Sequence, residues 1–284
     1  MSSAHDITIL DGPLGTQLLA HGVPTPPPLW SALALRDAPQ AIERIHRAYI
    51  DAGAQVITTN TFRTQPGVCP DDWRQLTARA VELAQRAVGS APGVRVAGSI
   101  APISDCYRPD LSPGGDSEVR DRHALLAGVL VDAGVDLLLC ETFPHPGEAL
   151  AAVEAAVATG ANTWLALTAG PDANLMTPGA MAVAAAQAVD AGASALLVNC
   201  TPASQTLPFV KALASANLRI PIGAYANAGS ISERMGWRNP VDSPEAHQRY
   251  ASFAQTWADA GASLIGSCCG TGPEHIALLA KRFG

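Results

Sequence analysis

The tripeptide Asp-Ala-Gly occurs four times in this chain, at Asp51–Gly53, Asp132–Gly134, Asp190–Gly192 and Asp259–Gly261, each time closing an Ala-rich stretch with helical character. Glycine in that place is a helix stop, because it enters the left-handed backbone region without the cost a Cβ imposes. A short apolar run follows each copy, at 55–59, 135–140, 193–199 and 263–266. These runs have the length and character of buried strands entered from a helix. The copies lie roughly 60 to 80 residues apart, about twice one strand-plus-helix unit, so a further strand is expected inside each interval. Val94–Ile100, Thr163–Thr168 and Ile220–Tyr225 fill the three gaps, and Ile7–Leu10 precedes the first copy. Eight strands alternating with helices over 284 residues predict an α/β chain folded as one (β/α)8 TIM barrel, a single domain spanning 1–284. A doubly wound open sheet also alternates, but it does not require eight units, and no Gly-x-Gly-x-x-Gly turn follows the first strand.

With 48% of its residues apolar, the chain can fill one large core. A net charge of −7 and the lack of any basic stretch exclude nucleic acid and anionic membrane surfaces as expected partners. No basic segment followed by an apolar one opens the sequence, and no window of about 18 residues is continuously apolar. A cytoplasmic protein acting on small molecules is therefore expected. Six cysteines in a chain of this size do not form a small disulfide scaffold, so their positions carry more meaning than their number.

In such a barrel, chemistry sits at the C-terminal ends of the strands. Asp11 is expected to end the first strand, Asn60 to follow the second and Glu141 to end the fourth. Asn199-Cys200 is expected to end the sixth, Tyr225 the seventh and Cys268-Cys269 the eighth. The Pro- and Gly-rich stretch Ile103–Ser117 should overhang the mouth after the third strand. Three converging thiolates suit Zn²⁺, which takes four tetrahedral ligands, and three protein ligands leave one position open, as in catalytic sites. Cys268 and Cys269 can point the same way only across a turn, for which Gly266, Gly270 and Gly272 are available. On spacing alone, metal ligation, a redox pair and plain core packing all remain open for these cysteines. Cys140 reads as a buried small hydrophobe, and Cys69 and Cys106 as incidental loop residues.

The segment Gly266–Ile276, Gly-Ser-Cys-Cys-Gly-Thr-Gly-Pro-Glu-His-Ile, resembles the C-terminal signature of the homocysteine S-methyltransferases, Gly-Gly-Cys-Cys-Gly-Thr followed by Pro and a helix. Asp11–Thr16, Thr59–Phe62, Gly98–Pro102, Glu141–Pro144 and Val198–Thr201 resemble further motifs of that family, in family order and over nearly the whole chain. The resemblance implies that Cys200, Cys268 and Cys269 ligate Zn²⁺ and that Asp11 and Glu141 receive the amine of homocysteine. Backbone amides around Gly12 would face its carboxylate, while Asn60, Asn199 and Tyr225 would complete the substrate site. Ala101, Ser267 and Ala226 depart from the family's Gly, Gly and Pro, and the loop after the third strand lacks a Tyr-rich motif of S-methylmethionine-dependent members. No Gly-rich S-adenosylmethionine loop is present, and the length leaves no room for a cobalamin or folate domain or for the extra segment of betaine-dependent members. The expected partners are thus homocysteine and a small cationic methyl donor, S-methylmethionine, with methionine as product. The alternatives are a zinc methyltransferase for selenocysteine or another small thiol, and a non-catalytic zinc- or thiol-binding sensor barrel.

Overall fold

The computed structural model describes residues 7–229 and 243–284. Eight parallel strands run in the order β1-β8-β7-β6-β5-β4-β3-β2. They are β1 (Thr8–Ile9), β2 (Val56–Thr58), β3 (Arg95–Ile100), β4 (Leu137–Phe143), β5 (Thr163–Leu167), β6 (Ala195–Pro202), β7 (Ile222–Asn227) and β8 (Leu264–Ser267). The open ends of this order meet: Leu10 bridges Val56, Gln55 N donates to Ile9 O at 2.7 Å, and Asp11 N donates to Val56 O at 2.9 Å. The sheet is therefore a (β/α)8 TIM barrel.

Among the described residues a helix follows each strand, the last of them after β8, and two short helices precede the first of these in the first crossover. Those two are α1 (Leu14–Ala20) and α2 (Ala34–Asp37). The others are α3 (Pro39–Asp51), α4 (Trp73–Val88), α5 (Ser117–Asp132), α6 (Pro146–Val157), α7 (Pro178–Asp190), α8 (Leu207–Ser215), α9 (Pro244–Asp259) and α10 (Pro273–Phe283).

The four Asp-Ala-Gly copies do what their glycines predict. Gly53, Gly134, Gly192 and Gly261 all have φ between 88° and 107°. In each, the glycine N–H donates three residues back and the next N–H donates five back, as in Gly53 N to Ile50 O and Ala54 N to Tyr49 O. That is the Schellman closure, which satisfies the last helix carbonyls and turns the chain straight into the next strand.

Strand side chains alternate between two apolar layers. Leu10, Val56, Ala97, Leu137, Leu139, Trp164, Ala166, Ala195, Leu197 and Leu264 fill the barrel interior. Their neighbours Ile57, Val96, Leu138, Cys140, Leu165, Leu196, Val198 and Ile265 face the helices. Cys140 is thus a core residue.

β4 and β6 each run three residues past their expected ends. β4 pairs with β5 up to Cys140, shifts register, and resumes at Phe143, with Thr142 at φ 62°. Likewise β6 pairs with β7 up to Asn199 and resumes at Pro202, with Cys200 at φ 47°. Each is a bulge that re-aims side chains at the mouth. Without it, Glu141 and Cys200 would follow the plain alternation of the strand.

Candidate metal centre and substrate cavity

A cavity of about 450 Å³ opens at the C-terminal ends of the strands, lined by residues from the β1, β2, β3, β4, β6, β7 and β8 ends. Asp11, Gly12, Asn60, Glu141, Cys200, Tyr225, Cys268 and Cys269 all stand in its wall. Asn199 does not. It is fully buried and lies one residue behind Cys200, where its side-chain amide is engaged with Thr142.

The three sulfurs gather on one side. β8 ends at Ser267, and Cys268 N still donates to Ala226 O at 2.8 Å while Ala228 N donates to Cys269 O at 2.9 Å, so β7 braces the cysteine pair. The chain then turns: Thr271 Oγ1 donates to Cys268 O, and Gly270 takes φ 82°. Gly266 is required for close approach instead, since a Cβ on it would lie 2.7 Å from the Leu10 Cβ and 3.1 Å from Asp11 O. Sγ atoms of Cys200, Cys268 and Cys269 all fall within 4.8 Å of one another, with 4.0 Å between Cys268 and Cys269. Four sulfurs at about 2.3 Å from a tetrahedral ion are about 3.8 Å apart, and the Cys268–Cys269 spacing is close to that, while the Cys200 and Cys268 sulfurs lie closer together. The Cys200, Cys268 and Cys269 set can hold a metal ion.

In this structure Cys200 and Cys268 are joined as a disulfide and Cys269 is free. The Cα geometry favours this pair over the vicinal one. Neighbouring Cα atoms lie about 3.8 Å apart, shorter than the usual disulfide span, whereas Cys200 and Cys268 are separated by 5.8 Å. Reduction is required before all three sulfurs are available as ligands.

The same cavity holds two buried carboxyls. Asp11 Oδ2 accepts from Thr58 N at 2.7 Å and Oδ1 from Thr58 Oγ1 at 3.1 Å, which ties β1 to β2. Burial lifts its pKa to about 8 against those bonds, and the charge of Glu141 adds to the rise. Glu141 is raised by burial as well, opposed by hydrogen bonds from Ser99 Oγ and from Tyr225 OH, the latter at 3.0 Å. Neither carboxyl takes part in an ion pair among the described residues. Burial also pushes the Cys269 thiol up to about 11. A mouth that disfavours negative charge on its own acids, with no ion-pair cation beside them among the described residues, suits a cationic ligand.

Gly12 is dictated by packing: a Cβ there would fall 2.7 Å from the Tyr49 hydroxyl and 2.8 Å from its ring. Asn60 donates to Ser31 O at 2.8 Å, pinning the connection that carries Trp30. Trp30 stacks with Phe62 at 6.1 Å and has the Arg63 guanidinium 4.5 Å from its ring centroid.

Several wall residues escape sequence reasoning. Trp30, Phe62, Thr142, Asp105, Cys106 and Tyr107 line the same cavity. Cys106 is therefore not incidental by position, and burial drives its thiol well above the usual range. The stretch Ile103–Ser117 does reach the mouth, as its place after β3 predicts. It is fastened from below by Glu148 of α6, which is buried and accepts from Ile103 N at 2.7 Å and Ser112 Oγ at 2.6 Å. An acid in the first turn of an Ala-rich helix is the signal that could have marked it.

A homocysteine S-methyltransferase family model matches residues 8–283. The chain belongs to that family. It is 31% identical to the homocysteine S-methyltransferase of Escherichia coli (strain K12), over 98% of this chain and 95% of that one. It is also 31% identical to homocysteine S-methyltransferase 4 of Zea mays, over 96% and 88%. A selenocysteine methyltransferase of Astragalus bisulcatus shares 27%, over 94% and 90%. Among solved structures, the metallated form of the homocysteine methyltransferase MmuM from Escherichia coli superposes with a TM-score of 0.81 at 28% identity, covering 98% of this chain and 96% of that one. The oxidised form gives 0.82 at the same identity and coverage. This family member is thus an enzyme of methyl transfer, and no helix among its described residues is long and apolar enough to cross a membrane.

Proposed function

We propose that this enzyme moves a methyl group from S-methylmethionine to homocysteine, giving methionine, with Zn²⁺ held by Cys200, Cys268 and Cys269. The observation that carries the reading is that one cavity holds two unlike groups: three gathered sulfurs, and two buried carboxyls, Asp11 and Glu141, with no ion-pair partner among the described residues. An amino thiol has one end for each. Zn²⁺ in a three-thiolate site supplies Lewis acidity that favours thiolate over thiol near neutral pH. Asp11 and Glu141 receive the ammonium as charge-assisted acceptors, and Tyr225 and Ser99 hold Glu141 in place. Asn60 fixes the first crossover against the β2 end.

In the transfer the acceptor sulfur forms a bond to the methyl carbon as the carbon–sulfonium bond breaks. The donor leaves as a neutral thioether, so no general acid is required. The protein's task is alignment and exclusion of water. The rings of Trp30, Phe62 and Tyr107 in the wall, together with its acids, suit a cationic donor. Likeness to a selenocysteine methyltransferase supports the selenol of selenocysteine as a second acceptor for the same site.

The test is a donor panel run on reduced, zinc-loaded protein with homocysteine: S-methylmethionine, S-adenosylmethionine and betaine. Methionine should form fastest from S-methylmethionine. Preference for another donor overturns the donor assignment, and no turnover with any of them, despite bound zinc and homocysteine, overturns the catalytic reading.

A further inference from the structure

We propose that Asn199 and Thr142 form a ruler that sets the chain length of the accepted amino thiol, with Asn199 acting as a positioning residue through Thr142. The proposal rests on the homocysteine reading given above.

Glu141, one of the two carboxyls placed for the ammonium, directly precedes Thr142, and Cys200, one of the three sulfurs, directly follows Asn199. These residues sit on β4 and β6, which are not neighbours, because β5 lies between them. At this level the sheet ties them only indirectly, Phe143 pairing with Leu167 on β5 and Leu167 with Val198 on β6. The β4 ladder to β5 is interrupted between Cys140 and Phe143, and the β6 ladder to β7 between Asn199 and Pro202. What joins them directly is a pair of side-chain bonds. Thr142 N donates to Asn199 Oδ1 at 3.2 Å, and Asn199 Nδ2 donates to Thr142 Oγ1 at 2.7 Å. The network uses both ends of the amide, so its orientation is set. Both residues are buried, and only Thr142 reaches the cavity wall.

Thr142 and Cys200 also hold positive φ, at 62° and 47°. A residue with a Cβ, and a β-branched one above all, stays there only if its surroundings over-determine it. The Asn199–Thr142 pair supplies that restraint for Thr142, and Asn227 Nδ2, donating to Cys200 O at 3.1 Å, supplies it on the other side. The Asn199–Thr142 clamp is thus the direct side-chain tie between the residue after Glu141 and the residue before Cys200, and it helps to set the separation between the ammonium acceptors and the Cys200 sulfur. An acceptor with one methylene more or fewer than homocysteine would have to give up one of its two ends.

The experiment measures binding of homocysteine and of cysteine, one methylene shorter, to reduced zinc-loaded protein by calorimetry without donor. Zinc content is determined in parallel. Wild-type protein should prefer homocysteine by about 10- to 200-fold, the usual worth of one methylene in a fitted site. Thr142→Val removes the hydroxyl that Asn199 grips while keeping the shape, and the homocysteine-to-cysteine ratio should fall by about 10-fold or more at unchanged zinc content. Thr142→Ser restores the hydroxyl and should restore the ratio. If Thr142→Val does not fold, Thr142→Ala carries the same test with less strain at positive φ. A ratio that stays at the wild-type value while both affinities weaken equally overturns the ruler alone. Wild-type protein that binds zinc but neither thiol overturns the acceptor reading, and the ruler with it.

Discussion

Binding of an α-ammonium in the mouth should expel a proton, and the proton should come from Asp11. Its carboxyl sits at about 8 in the empty cavity, so at pH 7 roughly one molecule in ten is ionised. An ammonium placed beside it requires the carboxylate. The affinity forgone at pH 7 is then about tenfold, or ~1.4 kcal/mol, and most of it returns once the pH passes 8. Methionine is the ligand to use, since it carries the ammonium without a titrating thiol. Calorimetry at pH 7 in buffers of different ionisation heat should count close to one proton released from Asp11 per methionine bound. In Asp11→Asn, which can keep both contacts with Thr58, the count should drop by about one. The same linkage acts on stability. A carboxyl raised from 3.8 in the folded state favours folding below about pH 4, and that contribution is lost as pH rises through about 8. The ligand-free enzyme should lose up to ~1.4 kcal/mol per pH unit across that window on account of this group, and Asp11→Asn should flatten the slope. Heats independent of buffer at pH 7, or an undiminished release in Asp11→Asn, would refute the reasoning.

Two further outcomes follow from the geometry. Cys269→Ala should leave the Cys200–Cys268 pair able to oxidise yet abolish zinc retention after reduction, and metal analysis showing a full zinc complement would remove Cys269 from the ligand set. Gly12→Ala should force Tyr49 out of place, costing roughly 1–3 kcal/mol in thermal or denaturant unfolding and weakening methionine binding as the β1 end shifts. An unchanged melting curve would show that Tyr49 has room the structure denies it.

The barrel was legible because its signals are local. An Asp-Ala-Gly stop followed by an apolar run needs only one turn of chain to be recognised, and alternation such as Leu137 inward, Leu138 outward follows from the two-residue period of any strand. The positions of Asp11, Glu141 and the three cysteines at the mouth followed from the barrel rule in the same way. What stayed hidden depends on partners far along the chain. Nothing near Thr142 or Cys200 announces a positive φ, because the restraint on Thr142 comes from Asn199, 57 residues away. Asn199 looked like a ligand to substrate because it adjoins Cys200, yet its amide is taken by Thr142. Glu148 reads as a surface acid on a helix until Ile103 and Ser112 are found bonded to it. The aromatic wall from Trp30, Phe62 and Tyr107 comes from three separate crossovers, whose packing no periodicity encodes.

The four Schellman closures lie where helices hand over to strands, at the end of the barrel opposite the cysteines. Strand registration is therefore set away from the chemistry, by backbone bonds and glycines that no substrate touches. The loops at the other end are held by separate fastenings such as Glu148 and Asn60. Selection can then retune donor and acceptor loop by loop, one fastening at a time, while the corners beneath keep the same eight strands in step.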